Sequence, residues 1–178
     1  MQPKNIEMYN KYIKLVIATA ILAWAVFQFI ESNIMNGISL VLLAGIFVLF
    51  YFKNEFILLA FWQLRKQNFA GADKWLNYIK NPKTALIKKQ EGYYNFLKGI
   101  MLSQTNITQA EKFFKKALKL GLNMKHDIAM AKLQLAGIAM TKRRKREATM
   151  LINEAKKLDT QGVLTEQIKM LKQQMKKV

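Results

Sequence analysis

Two patterns of apolar and polar positions divide this chain. Leu15–Ile30 and Ile34–Phe52 are uncharged apolar runs separated only by Glu31-Ser32-Asn33. From Lys53 onward, apolar residues recur at spacings of three and four with Lys and Arg between them, the period of amphipathic helices. Prolines occur only at Pro3 and Pro82, and no alternating stretch of useful length signals a strand. The expected fold class is all-α.

The first pattern reads as a transmembrane hairpin. The 16 residues Leu15–Ile30 span roughly 24 Å as a helix. Tyr12 and Ile13, with Lys14 reaching toward the interface, bring that helix closer to the ~30 Å of a hydrocarbon core. Ile34–Phe52 is 19 residues long, near the usual length. Transmembrane helices are therefore expected at about 12–30 and 34–52, in an anchor covering residues 1–53. A cleaved leader fits poorly, because the small-x-small patterns Ala18-Thr19-Ala20 and Ala23-Trp24-Ala25 lie inside the apolar run and a second run follows. A pore is not indicated, since the runs carry no charged residue, and Gln28, Asn36 and Ser39 do not make an ion path. Thr19/Ala23 and Ala44/Gly45 are the small residues expected to let the two helices approach. Lys4, Lys11 and Lys14 precede the hairpin and Lys53, Arg65 and Lys66 follow it, whereas its turn carries only Glu31. The positive-inside rule then puts both termini in the cytoplasm.

Residues 54–178 form the second domain, long enough for a core of its own. The most regular helix is Ile107–Leu120, with Ile107, Ala110, Phe113, Phe114, Ala117 and Leu118 on one face. Thr105 or Asn106 is placed to cap its start, and Gly121 its end. A second helix runs from about Arg144 to Leu158, with Ala148, Leu151, Ile152, Ala155 and Leu158 inward. Tyr94, Leu97, Met101, Ala110, Phe114 and Ala117 then fall into a helix-pair pattern that returns at Leu135, Ala136, Ala139, Ala148, Ile152 and Ala155. A looser copy over Phe56–Pro82 uses Leu59, Ala60, Phe69, Ala72, Leu76 and Ile79, with Asn81-Pro82 as its ending. A last helix, about Val163–Lys176, carries Leu164, Ile168, Leu171 and Met175 on one face.

This spacing resembles the tetratricopeptide repeat over roughly residues 54–177, although Lys98 stands where that family favours Gly and Leu122 where it favours Pro. The resemblance implies an α-solenoid of about three helix pairs closed by a capping helix. It also implies a concave groove lined by Asn95, Gly99, Leu102, Leu133, Gly137 and Met140, suited to a peptide or helix of a protein partner. Phe56–Trp62, seven apolar residues in a row, fits either the first repeat or the bilayer interface.

Charge adds a second candidate surface. The chain carries a net charge of +18, and from Lys53 onward 26 Lys and Arg face 9 Asp and Glu. The densest run is Lys142-Arg143-Arg144-Lys145-Arg146, expected at a helix-to-helix turn with all five cations open to solvent. Such a run suits anionic lipid head groups or, with less support, nucleic acid, since no recognition helix or stacking motif accompanies it. Enzymatic chemistry lacks a constellation. Cysteine is absent, His126 is the single histidine, and the carboxylates are scattered without metal-ligand spacing. No cofactor is expected. The composition, rich in Lys, Asn and Ile, suggests a bacterial cell-membrane protein. The expected function is a non-enzymatic adaptor at the cytoplasmic face of that membrane. The alternative is a basic domain that binds lipid or nucleic acid through charge alone.

Overall fold

A computed structural model describes residues 12–177. Within them lie ten helices and no strand. Compactness divides the chain after Gln90, whereas composition changes at Lys53, so the apolar hairpin shares a compact unit with the helices that follow it.

The hairpin comprises α1 (Ile13–Ile30) and α2 (Ile34–Phe52). Its contact face is made of small residues: Ala18 is 2% exposed, Ala25 and Ala44 are 1% exposed, and Gly37 is buried. A Cβ on Gly37 would come within 2.6 Å of the Phe29 ring, so only glycine allows this approach without moving the ring. Of the small residues expected to let the helices approach, Ala44 lies at the contact, whereas Thr19, Ala23 and Gly45 lie on the outer surface. They fall about a third of a turn or more from the Ala18/Ala25 and Gly37/Ala44 lines, which repeat every seven residues. The bulky residues point outward, with Trp24 63% exposed and Leu42 66%. Both helices are long and apolar enough to cross a membrane, and only 11% of each apolar window is buried. A soluble core helix shows the reverse, with its large apolar side chains inside.

Lys14 finds its partners at the open end of the hairpin. Its amine pairs with Glu55 and donates to the Phe50 carbonyl at 3.2 Å, joining the start of α1 to the end of α2. Lys4 and Lys11, the other cations used for orientation, lie outside the described residues.

After a two-residue break, Asn54 caps α3 (Glu55–Arg65) by accepting from the Phe56 amide at 3.0 Å. Asn68 caps α4 (Phe69–Asn77) through the Gly71 amide at 2.9 Å. The two helices enclose Ile57, Ala60, Ala72 and Leu76. Phe69, expected inside, is exposed. Aromatic packing is supplied by Phe56, Trp75 and Tyr78, whose ring centroids lie 5.6–6.2 Å apart. Pro82 does not end a helix but opens the short α5 (Pro82–Ala85), where its missing N–H leaves no bond unmade. The next helix, α6 (Lys88–Leu102), begins with Gln90 donating to the Tyr51 carbonyl at 2.9 Å.

In the second unit, α6 meets α7 (Ile107–Leu120) through glycine and aromatic contacts. Phe96 and Phe114 meet edge-on at 6.0 Å, and a Cβ on Gly99 would strike the Phe114 ring at 2.9 Å. Phe96 and Leu97 are fully buried, while Tyr94 and Met101 are only half-buried, so Phe96 takes the place expected of its neighbours. Asn106 caps α7 through the Gln109 amide, and Gly121 ends it at φ +96°. The helix α8 (Lys125–Thr141) is apolar on several sides and contacts α7, α9 (Lys145–Leu158) and α10 (Thr165–Lys177). Ala129, Leu133, Ala136, Ile152, Ala155, Leu164 and Ile168 form the core shared by α8, α9 and α10. The last helix begins two residues later than expected, after Asp159 accepts from the Leu164 amide at 2.9 Å.

Three hairpins share one turn. In Glu31-Ser32-Asn33, Lys66-Gln67-Asn68 and Lys142-Arg143-Arg144, the first residue ends a helix and the last begins the next. The middle residue is left-handed, at φ 63°, 58° and 57° respectively. In each turn two amides fold back to the closing helix, as Asn68 does to Gln63 at 2.9 Å and Gln67 to Leu64 at 2.9 Å. A side chain in that conformation costs about 1–2 kcal/mol, which glycine avoids. Gln67→Gly is therefore expected to stabilise the protein by about 0.5–1 kcal/mol, less than the full strain because glycine also frees the unfolded chain. Thermal unfolding in detergent checks this: a lower melting temperature would mean that the Gln67 side chain does more than tolerate its strain.

Candidate functional site: the basic turn and Glu111

The turn between α8 and α9 carries the basic run, and one buried carboxylate on α7 organises it. Glu111 is 9% exposed and accepts from Lys115 at 2.7 Å, Lys142 at 2.7 Å and Arg144 at 2.8 Å. Arg144 also meets Glu147 at 2.7 Å, and Lys115 lies 3.7 Å from the same carboxylate. Burial pushes the Glu111 pKa up, but the hydrogen bonds from Lys115, Lys142 and Arg144 outweigh it and bring it from 4.5 down to about 2.

The five cations of the run reach solvent, with only Arg144 half-buried, but they are not equivalent. Lys142 and Arg144 are paired with Glu111. Arg143, at the left-handed tip, and Lys145 and Arg146 beside it are exposed. Arg143, Arg144, Lys145, Arg146, Glu147 and Met150 border a shallow depression of about 540 Å³. Glu111 was not legible as a site residue, because in the sequence it is one more acid on a lysine-rich helix.

The expected groove is not assembled as an open surface. Asn95 is 1% exposed, and its amide donates to the Glu91 carbonyl of its own helix at 2.6 Å. Gly99 is covered by Phe114, and Leu133 belongs to the core between α8, α9 and α10. Leu102, Gly137 and Met140 are half-buried, and Leu171 of α10 stands 3.9 Å from where a Cβ on Gly137 would be. The helix-pair spacing that selected these positions identifies contact faces, and here those faces are occupied by neighbouring helices.

Other polar residues serve the fold. The Tyr93 hydroxyl donates to Asp127 at 2.7 Å and accepts from the Asn123 amide at 3.2 Å. Burial and then Asp127 push its pKa up to about 12. His126 is half-buried in the first turn of α8. Among the described residues, no three His, Cys, Asp or Glu side chains converge as metal ligands would.

Comparison of the chain with protein-family models, curated proteins and solved structures finds no match. The site is therefore read from its own chemistry.

The depressed Glu111 pKa fixes the sign of a pH effect. A carboxylate held below its unfolded value contributes fully above about pH 4.5, and that contribution is lost as the pH falls toward about 2. Glu111→Gln is expected to reduce stability at neutral pH by about 1–3 kcal/mol, discounted because the partner cations are partly exposed. It should also flatten the acid limb of the stability profile. Unfolding of the two proteins near neutral pH and near pH 3 checks this. An equal deficit at both would assign the loss to packing.

Proposed function

We propose that this protein is a non-enzymatic, membrane-anchored adaptor with a tetratricopeptide-like helical domain. The hairpin crosses the membrane with both termini cytoplasmic, and the basic domain captures an acidic partner protein there. The observation that carries this reading is the fate of the acidic side chains. From Glu91 onward every described Asp and Glu has a partner within the chain. Glu91 pairs with Lys116, Glu154 with Lys132 and Glu166 with Lys169. Glu111 and Glu147 share the cluster at the basic turn. Asp127 takes the Tyr93 hydroxyl and Asp159 caps α10. The exposed Lys112, Lys119, Lys125, Arg143, Lys145, Arg146, Lys156 and Lys157 therefore present a positive potential that internal acids do not cancel, and acidic partners are attracted to such a surface. Membrane tethering raises the local concentration of the domain, so a modest affinity suffices.

A second reading has its own observation. Arg143, Lys145 and Arg146 project together at one tip, with exposed Met150 beside them, a combination that also suits anionic lipid head groups. One variant tests both readings. Arg143→Gln/Lys145→Gln/Arg146→Gln leaves Lys142 and Arg144 on Glu111 and so preserves the turn. In-cell crosslinking of the full-length protein, followed by mass spectrometry, is expected to capture a defined acidic protein. The triple variant should recover about tenfold less of it, and the wild-type yield should fall with salt. Capture of phospholipid alone, lost in the variant, would replace the adaptor with the lipid reading. Capture that is abolished by nuclease would replace both with nucleic-acid binding.

A further inference from the structure

The outer face of α3 keeps two large apolar side chains exposed outside the hairpin. Ile57 and Ala60 turn inward and are buried. On the other side Leu58 is 47% exposed and Trp62 is 51% exposed, four residues apart and so on one stripe of the helix. Arg65 continues that stripe and is exposed. The Lys66 amine stands 3.5 Å from the centre of the Trp62 rings, a cation–π contact. The stripe thus runs from aliphatic to aromatic to cationic.

Its position in the chain says what covers it. Only Lys53 and Asn54 separate α2 from α3, and two extended residues reach about 7 Å at most. Lys14 holds the first turn of α3 through Glu55 and the end of α2 through the Phe50 carbonyl. The start of α3 is therefore fixed at the open end of the hairpin. If the hairpin crosses a bilayer, that end lies at the boundary between head groups and acyl chains. An amphipathic helix with an exposed Trp and flanking cations partitions there, its apolar face about 5–10 Å into that boundary. Glu55, the one acid of α3, is already paired with Lys14 and does not oppose an anionic surface.

We propose that Leu58 and Trp62 of α3 sit in the interface of the bilayer that the hairpin crosses, with Arg65 and Lys66 at anionic lipid head groups. This rests on the transmembrane reading of the hairpin, so the test must separate the two.

The three tryptophans of the chain, Trp24, Trp62 and Trp75, provide that separation. Full-length protein is reconstituted into phosphatidylcholine–phosphatidylglycerol vesicles whose acyl chains are brominated either near the head group or near the chain end. Trp24→Phe/Trp75→Phe reports on Trp62, and Trp62→Phe/Trp75→Phe reports on Trp24 in α1. Trp62 is expected to lose roughly half of its emission to shallow bromines and little to deep ones or to aqueous acrylamide. If Trp24 is quenched by brominated lipid but Trp62 is quenched only by acrylamide, the hairpin spans and the interfacial assignment is wrong. If Trp62 is shielded from both quenchers while Trp24 responds to lipid, a protein surface covers α3 and the assignment is again wrong. If neither responds to lipid, the transmembrane reading itself fails. Because Trp75 packs against Phe56 and Tyr78, a second probe leaves it in place. Leu58→Cys, in a chain with no other cysteine, carries a polarity-sensitive fluorophore. Its emission should shift to the blue on reconstitution, and an unshifted, water-like emission would overturn the proposal.

Discussion

Close approach of paired helices, permitted by alanine and glycine at the contact positions, underlies every hairpin in this chain. Ala18, Ala25, Gly37 and Ala44 do this in the first pair, Ala60 and Ala72 in the second, and Ala129, Ala136, Ala148 and Ala155 around α8 and α9. Between α6 and α7 the requirement is strictest, since a Cβ on Gly92 would come within 2.4 Å of the Gly121 carbonyl. Small contact residues leave little apolar area to bury per helix pair, so the larger side chains decide where each pair can exist. In α1 and α2 they are outward and apolar, which lipid accepts and water penalises. Around α8 they are inward, as with Leu133, Ile152 and Leu164, while lysines cover the outside.

That difference explains which parts were legible in the sequence. The all-helical class, the extent of α1, α2, α7 and α9, and the Asn106 and Gly121 caps followed from apolar period and capping chemistry, whereas the short α5 at Pro82 did not. Most contact positions within the hairpin did not, because small residues occur on several sides of each helix, Thr19, Ala23 and Gly45 as well as Ala18, Ala25 and Gly37, and neither helix has a polar side to break the symmetry. Phe96 displaced Tyr94 and Met101 from the core for a related reason. Successive large residues on α6 offer several inward choices, and the ring contact with Phe114 selects one of them.

The shared turn was hidden for a different reason. Left-handed residues normally announce themselves as glycine, and here they are Ser32, Gln67 and Arg143. The strain at each is sustained by the two backbone bonds that close the preceding helix and by the packing of the helices on either side. Asn33 and Asn68 follow two of these residues, but only Asn68 uses its side chain as a cap. Sequence therefore marked where the chain reverses without revealing that it reverses in the same way three times.

At the basic turn, this geometry and the charge act on each other. A left-handed Arg143 places its neighbours Lys142 and Arg144 on the same side, where both reach Glu111 of α7. Burial pushes the Glu111 pKa up and those donors help to outweigh it, and the two cations gain a fixed position from the carboxylate. Their opposite effects leave Arg143, Lys145 and Arg146 as the outward charge of the run. A sequence count of five cations therefore overstates the local binding charge. The carboxylate that reduces it also orders the turn that presents the remaining three, so neutralising Lys142 or Arg144 would disturb presentation as well as charge, whereas neutralising the other three isolates charge alone.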